Sequence, residues 1–96
     1  MEIICINDNF SEEWLKWALE HNVKHPIENK IYSIREITKH SNGKTGLLLN
    51  EINNPKVPQM GGVFELEPSF DINRFRNLDK TKIKDAEFNT NKDYAR

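Results

Sequence analysis

His21 and His25 stand four residues apart, the spacing at which two imidazoles on one helix face hold a metal ion together. Pro26 follows at once and argues that any helix has ended before His25, and no third ligand lies nearby. Cys5 and His40 are the remaining soft ligands, so a zinc site would need this scattered set to converge. His21 at a helix C-terminus, facing the negative end of the dipole, is the simpler reading, and no metal or other cofactor is expected. Gly43-Lys44-Thr45 matches the last three positions of a phosphate-binding loop. That loop requires glycine where Thr38 stands and a helix after the threonine, whereas here the run Leu47-Leu48-Leu49 follows. Cys5 as a nucleophile would need a base and an orienting group, and its Ile-rich surroundings read as a buried, inert thiol. Glu65 and Glu67 alternate as neighbours on one strand face, yet two carboxylates on a solvated strand are ordinary. The residues therefore argue against an enzyme.

Binding chemistry is better represented. Arg35, Lys39, His40 and Lys44 fall close together, and Arg74, Arg76, Lys80, Lys82 and Lys84 form a second basic group. If the fold joins the two, they make a patch for an anionic partner, with Tyr32 as a stacking face of the kind single-strand binders use. Separate faces would leave them as solvated surface charge. Trp14 and Trp17 lie within four residues of each other. They either anchor a helix to the core or leave one ring exposed as an interface anchor, a role in which tryptophan is enriched.

The elements that position these groups are short. Glu2 to Asn7 is an Ile-rich run suited to a buried strand, broken by Asp8-Asn9. Ser11 is a helix cap, with Glu12 and Glu13 in the first turn. Trp14, Leu15, Ala18 and Leu19 share one helical face, Trp17 lies at its margin, and Asn22 and Pro26 end a helix of about residues 11–21. Ile27, Ile31, Ile34 and Ile37 recur at helical intervals, but the Ile, Tyr and Thr content of residues 30–38 favours a strand. Such a strand lacks clean alternation and so needs a bulge or burial on both faces. The Asn42-Gly43 turn signal and the run Leu47 to Ile52 make the pair a hairpin. Residues 53–62, with two prolines and a glycine pair, read as a loop without regular structure. Val63 to Leu66 is a short strand ended by Pro68, and Phe70, Ile72 and Phe75 anchor a tight turn and a last strand. Residues 80–96 read as a charged tail, disordered or a short helix.

At 96 residues, 36% apolar and 30% charged, the chain holds one modest core. The net charge of −1 conceals a pattern: residues 1–20 carry one Lys against five acidic groups, while 24–44 and 71–84 each carry five basic against two acidic. No apolar stretch approaches the roughly 18 residues of a membrane span. The single cysteine and the absence of a basic, apolar leader point to the cytoplasm.

In order along the chain, IYSIREI, a glycine-containing turn, GLLLNEI-NP, G-x-F-E-x-EPSF and RFRNLD resemble a family of small phage and prophage proteins, especially of the Bacteroidetes group. The resemblance covers about residues 1–79; the paired-tryptophan helix and the Lys-rich tail are not general to that family. It implies a mainly β, β-rich α+β fold: a small SH3-like barrel of about five short strands with one short N-terminal helix. The family offers no activity to carry over, so no residue role transfers. With it comes the expectation of a non-catalytic, phage-derived interaction protein. Its partner would be a host protein or ribonucleoprotein, and the specific expectation is an inhibitor docked on an antiviral defence complex such as an RNA-guided nuclease. The alternatives are direct binding of single-stranded RNA through the basic residues, and a structural phage component that self-associates.

Overall fold

The computed structural model describes residues 1–40, 42–58 and 65–83. Strand β1 (Glu2–Cys5) is followed by helix α1 (Glu12–Glu20), then by β2 (Ile31–Lys39) and β3 (Thr45–Leu49). Two-residue strands β4 (Val57–Pro58), β5 (Glu65–Leu66) and β6 (Phe70–Asp71) come next, and a 3-10 turn (Ile72–Arg74) leads into β7 (Phe75–Asn77). The fold is mainly β with one short helix. Five strands form an antiparallel sheet in the order β6-β3-β2-β1-β7, and β4 pairs with β5 separately.

The expected barrel does not close. β6 and β7 are the two edges of the sheet and pair only inward, with β3 and β1. The three-residue 3-10 turn takes the chain directly from one edge to the other, so the sheet is strongly rolled, but β6 and β7 do not pair with each other and the roll stays open. The loop expected over residues 53–62 is also corrected. Val57 is buried and pairs with Leu66, which seats β4 in spite of Pro58, because β4 is an edge strand, where proline is tolerated.

β2 explains why its sequence reads ambiguously. Tyr32 and Ile37 are both buried but lie five residues apart, on opposite faces of a regular strand. The register shifts between Ile34 and Glu36, and this bulge turns both side chains inward. The hairpin turn closes with His40 N–H to Lys44 O (2.9 Å) and Gly43 N–H to His40 O (2.9 Å), with Gly43 at φ +85°.

Ser11 caps α1 by accepting from Trp14 N–H (3.1 Å), and Asn22 ends it in the left-handed region at φ +58°. The buried stripe differs from the expected one. Trp14, Trp17 and Ala18 face the protein, whereas Leu19 is 82% exposed. The two large rings cover more of the sheet than leucine can, so the helix is rotated to seat them.

One core lies on the sheet: Ile3, Cys5, Tyr32, Ile37, Leu47, Leu49, Ile52, Phe70 and Phe75. A smaller cluster of Ala18, Val23 and Val57 sits under the helix, and Trp14 packs against both. Ile83 also packs on the main core, so the first residues beyond 79 fold back. Asn77 N–H donates to Thr81 O (2.9 Å) there. The rest of the expected tail, with Lys84, lies outside the described residues, as do Val63 and Phe64 of the expected strand. Among the described residues, no helix is long and apolar enough to cross a membrane.

Candidate binding groove

The chain leaves β1 through two tight turns, with Asn9 N–H on Asn7 Oδ1 (2.8 Å) and Phe10 N–H on Asp8 O (3.0 Å). These set Phe10 just ahead of the Ser11 cap, where an apolar residue packs on the first helical turn. Phe10 stacks on Trp14 with centroids 4.5 Å apart and planes 22° from parallel. On its other face lies the Arg74 guanidinium, 3.8 Å from the ring centroid. Arg74 is held there by one nitrogen, Nη1, which donates to Asn7 O and Asn7 Oδ1 (3.2 Å each) and to Asn9 O (3.5 Å). Trp17 continues the row 5.8 Å from Trp14, and His21 ends it 5.1 Å from Trp17. His21 is fixed by an Nδ1 hydrogen bond to Trp17 O (2.8 Å), and Phe70 meets Phe10 and Trp14 edge-on from the sheet.

Arg74, Phe10, Trp14 and Trp17 thus wall one side of a groove of about 730 Å³. The opposite side is the β2–β3 turn and the approach to β6, with His40, Lys44, Gly46 and Ser69. His40 Nε2 lies 3.3 Å from both Thr38 Oγ1 and Ser69 Oγ. Asp71 is the acidic residue of the lining, and its carboxylate accepts from Asn73 N–H (2.9 Å). Half-exposed aromatic edges beside a lysine and an arginine bind flat or apolar groups that carry negative charge.

Gly46 lets the groove floor approach this closely. A Cβ there would stand 2.9 Å from both Ser69 Cβ and Thr38 Oγ1, inside van der Waals contact. Gly46→Ala is expected to cost about 1–3 kcal/mol, the usual penalty of overpacking, read as a lowered denaturant midpoint with an unchanged slope.

The groove joins His40 and Lys44 of the first basic group and Arg74 of the second to the tryptophan pair. The other expected site residues lie elsewhere. Tyr32 is buried and its hydroxyl accepts from Ile27 N–H (2.9 Å), so it offers no stacking face. Arg35 makes a 2.6 Å ion pair with Glu67 and donates to Leu49 O and Ile52 O, which ties the bulge of β2 to the connection between β5 and β6. Glu67 also accepts from Asn54 N–H (3.1 Å), so its carboxylate holds the loop after β3 as well as Arg35. Arg76 caps the carbonyls of Asn73 (3.2 Å) and Phe75 (2.8 Å). Lys39 ends β2 opposite Thr45, and Lys80 and Lys82 are exposed after β7. Phe10 and Ser69 went unrecognised as groove residues; of the two, Phe10 alone carried a signal, its place before a helix cap.

Thr45 opens strand β3, not a helix, so Gly43-Lys44-Thr45 lacks the helix N-terminus a phosphate loop uses. Among the described residues, no three His, Cys, Asp or Glu side chains gather as a metal site would need. Cys5 is fully buried and its thiol donates to Asn7 O (3.6 Å); burial pushes its pKa up. The folded state therefore favours the protonated thiol. Its contribution to stability is complete below the ordinary thiol range near 8.5 and is lost as pH rises through that value toward the raised one. Alkylation of Cys5 in the native protein is expected to be slow and to track unfolding, measured as labelling rate against denaturant.

No protein-family model, no curated protein and no solved structure matches this chain.

Proposed function

We propose that this protein is a non-catalytic binding module that docks a negatively charged partner in the groove between α1 and the β3–β6 side of the sheet. The observation that carries this reading is the row Arg74–Phe10–Trp14–Trp17 along one wall with Lys44 on the other. A fixed aromatic row needs little ordering on binding, and charges at its rim steer an anionic surface into place. The partner in this reading is a host protein or ribonucleoprotein in the cytoplasm. The resemblance to phage proteins supports an antiviral defence complex such as an RNA-guided nuclease, which the protein would inhibit by occupying its surface.

A second reading, direct binding of single-stranded RNA, is favoured by the same pairing of aromatic edges with Lys44 and Arg74. Ionic strength separates the two. The test is to capture the tagged protein's partners from a bacterial host carrying defence systems, at low and high salt. A defined protein complex retained at high salt is the expected result. Nucleic acid alone, with a log–log salt slope of about −1.4 for two neutralised phosphates, would replace the first reading by the second.

A further inference from the structure

A second groove, of about 690 Å³, lies on the other flank of α1 and shares none of the aromatic row. Its walls are Leu15 and Leu19 of the helix, Ile27 in the connection that follows, and Ile31 at the start of β2. All four are open to solvent, by 38, 82, 46 and 52%. Scattered exposed aliphatics need no explanation, but four around one concavity form the kind of patch that marks an interaction site. Lys24 and Lys30 also line the groove, and among the described residues neither is ion-paired. The carboxylate present, Glu51, is already committed to Ser33, accepting from its N–H (2.9 Å) and its hydroxyl (2.7 Å). Those two bonds outweigh the upward push of desolvation and hold the Glu51 pKa below its ordinary value, so it stays charged and engaged. Two lysines against this one carboxylate leave the lining net positive.

We infer that this groove docks an acidic amphipathic helix of a protein partner, whose apolar face lies on Leu15, Leu19, Ile27 and Ile31 and whose flanking carboxylates meet Lys24 and Lys30. A helix fits better than a strand because the start of β2 offers little edge to extend: Tyr32 is paired with β1, and Ser33 N–H and O are taken by Glu51 Oε1 and Asn50 N–H. Leu15 and Leu19 stand one turn apart, the spacing of apolar side chains along a helix laid beside them. A second copy of the chain placed on the same patch by a two-fold axis would bring the same two unpaired lysines with it. That charge pattern opposes self-association and favours a carboxylate-bearing partner.

The test uses the full chain and two synthetic helical peptides of about 18 residues, long enough to hold some helix. Both carry a leucine stripe, one flanked by glutamates and its twin by lysines. Binding is read by fluorescence anisotropy and by backbone amide shifts of the labelled protein. The acidic peptide is expected to bind about ten-fold more tightly or better, shifting the amides of Leu15, Leu19, Ile27 and Ile31. Leu19→Glu, at a site so exposed that the fold is unaffected, is expected to abolish binding, and the double variant Lys24→Glu/Lys30→Glu to reverse the peptide preference. Equal binding of the two peptides, no binding of either, or shifts confined to the tryptophan groove would overturn the inference. So would concentration-dependent self-association that Leu19→Glu removes, since the occupant would then be a second copy.

Discussion

Phe75→Ala is expected to bring the protein to the edge of unfolding at room temperature. Phe75 is fully buried and among the largest of the fully buried side chains. It sits opposite Cys5 where β7 pairs with β1, among Ile3, Leu47, Leu49 and Phe70. β7 is only three residues long and forms an edge of the sheet, so few backbone bonds hold it independently. What retains it is this ring. Replacing a buried phenylalanine by alanine costs about 3–5 kcal/mol through lost transfer energy and the cavity left behind. A domain of this size has about 5–15 kcal/mol in all, and a chain only 36% apolar belongs toward the lower end. Equilibrium denaturation followed by tryptophan fluorescence would show the loss of midpoint, and Cys5, its cross-strand partner, would be alkylated far faster than in the parent. Phe75→Leu, which retains most of the volume, is expected to lose about half as much or less. A Phe75→Ala variant within about 1 kcal/mol of the parent would mean that β7 is not seated by this ring.

The parts of the fold that were legible in the sequence are those written in neighbouring residues. Ser11 with Glu12 and Glu13 marks the start of α1, and Asn42-Gly43 marks the hairpin, because a cap and a turn are local chemistry. The need for a bulge in β2 was also readable, but its position was not. The bulge falls at Arg35 because both Tyr32 and Ile37 must reach the same core, a demand set by the other strands. Leu19 shows the limit of periodicity. The helical pattern counts it as core, and only the competition with two indole rings for the same sheet surface turns it outward. The site failed in the same way. Arg35 and Arg74 look alike as exposed cations, yet one is drawn to Glu67 and the other is clamped over Phe10 by oxygens of residues 7 and 9. Charge counting cannot tell a structural arginine from one at a groove, because the partners that decide it are distant in the chain.

Trp17→Ala is expected to weaken capture of the partner by about 30-fold, some 2 kcal/mol, while the protein stays folded. Trp17 is the better probe of the two tryptophans. Trp14 packs against both hydrophobic clusters and is covered by Phe10, Trp17, His25 and Phe70, so its removal would damage the scaffold together with the site. Trp17 touches only the smaller cluster and stands near the end of the aromatic row, half-exposed, with Ala18 beside it continuing to seal the helix. Its loss should cost stability modestly and leave the circular dichroism spectrum unchanged. Trp17→Phe keeps an aromatic face and is expected to recover most of the affinity. Arg74→Lys keeps the charge but loses the planar contact with Phe10, and should weaken capture less than Trp17→Ala. If folded Trp17→Ala captures the partner as well as the parent does, the row of rings is structural packing and docking must take place elsewhere on the molecule.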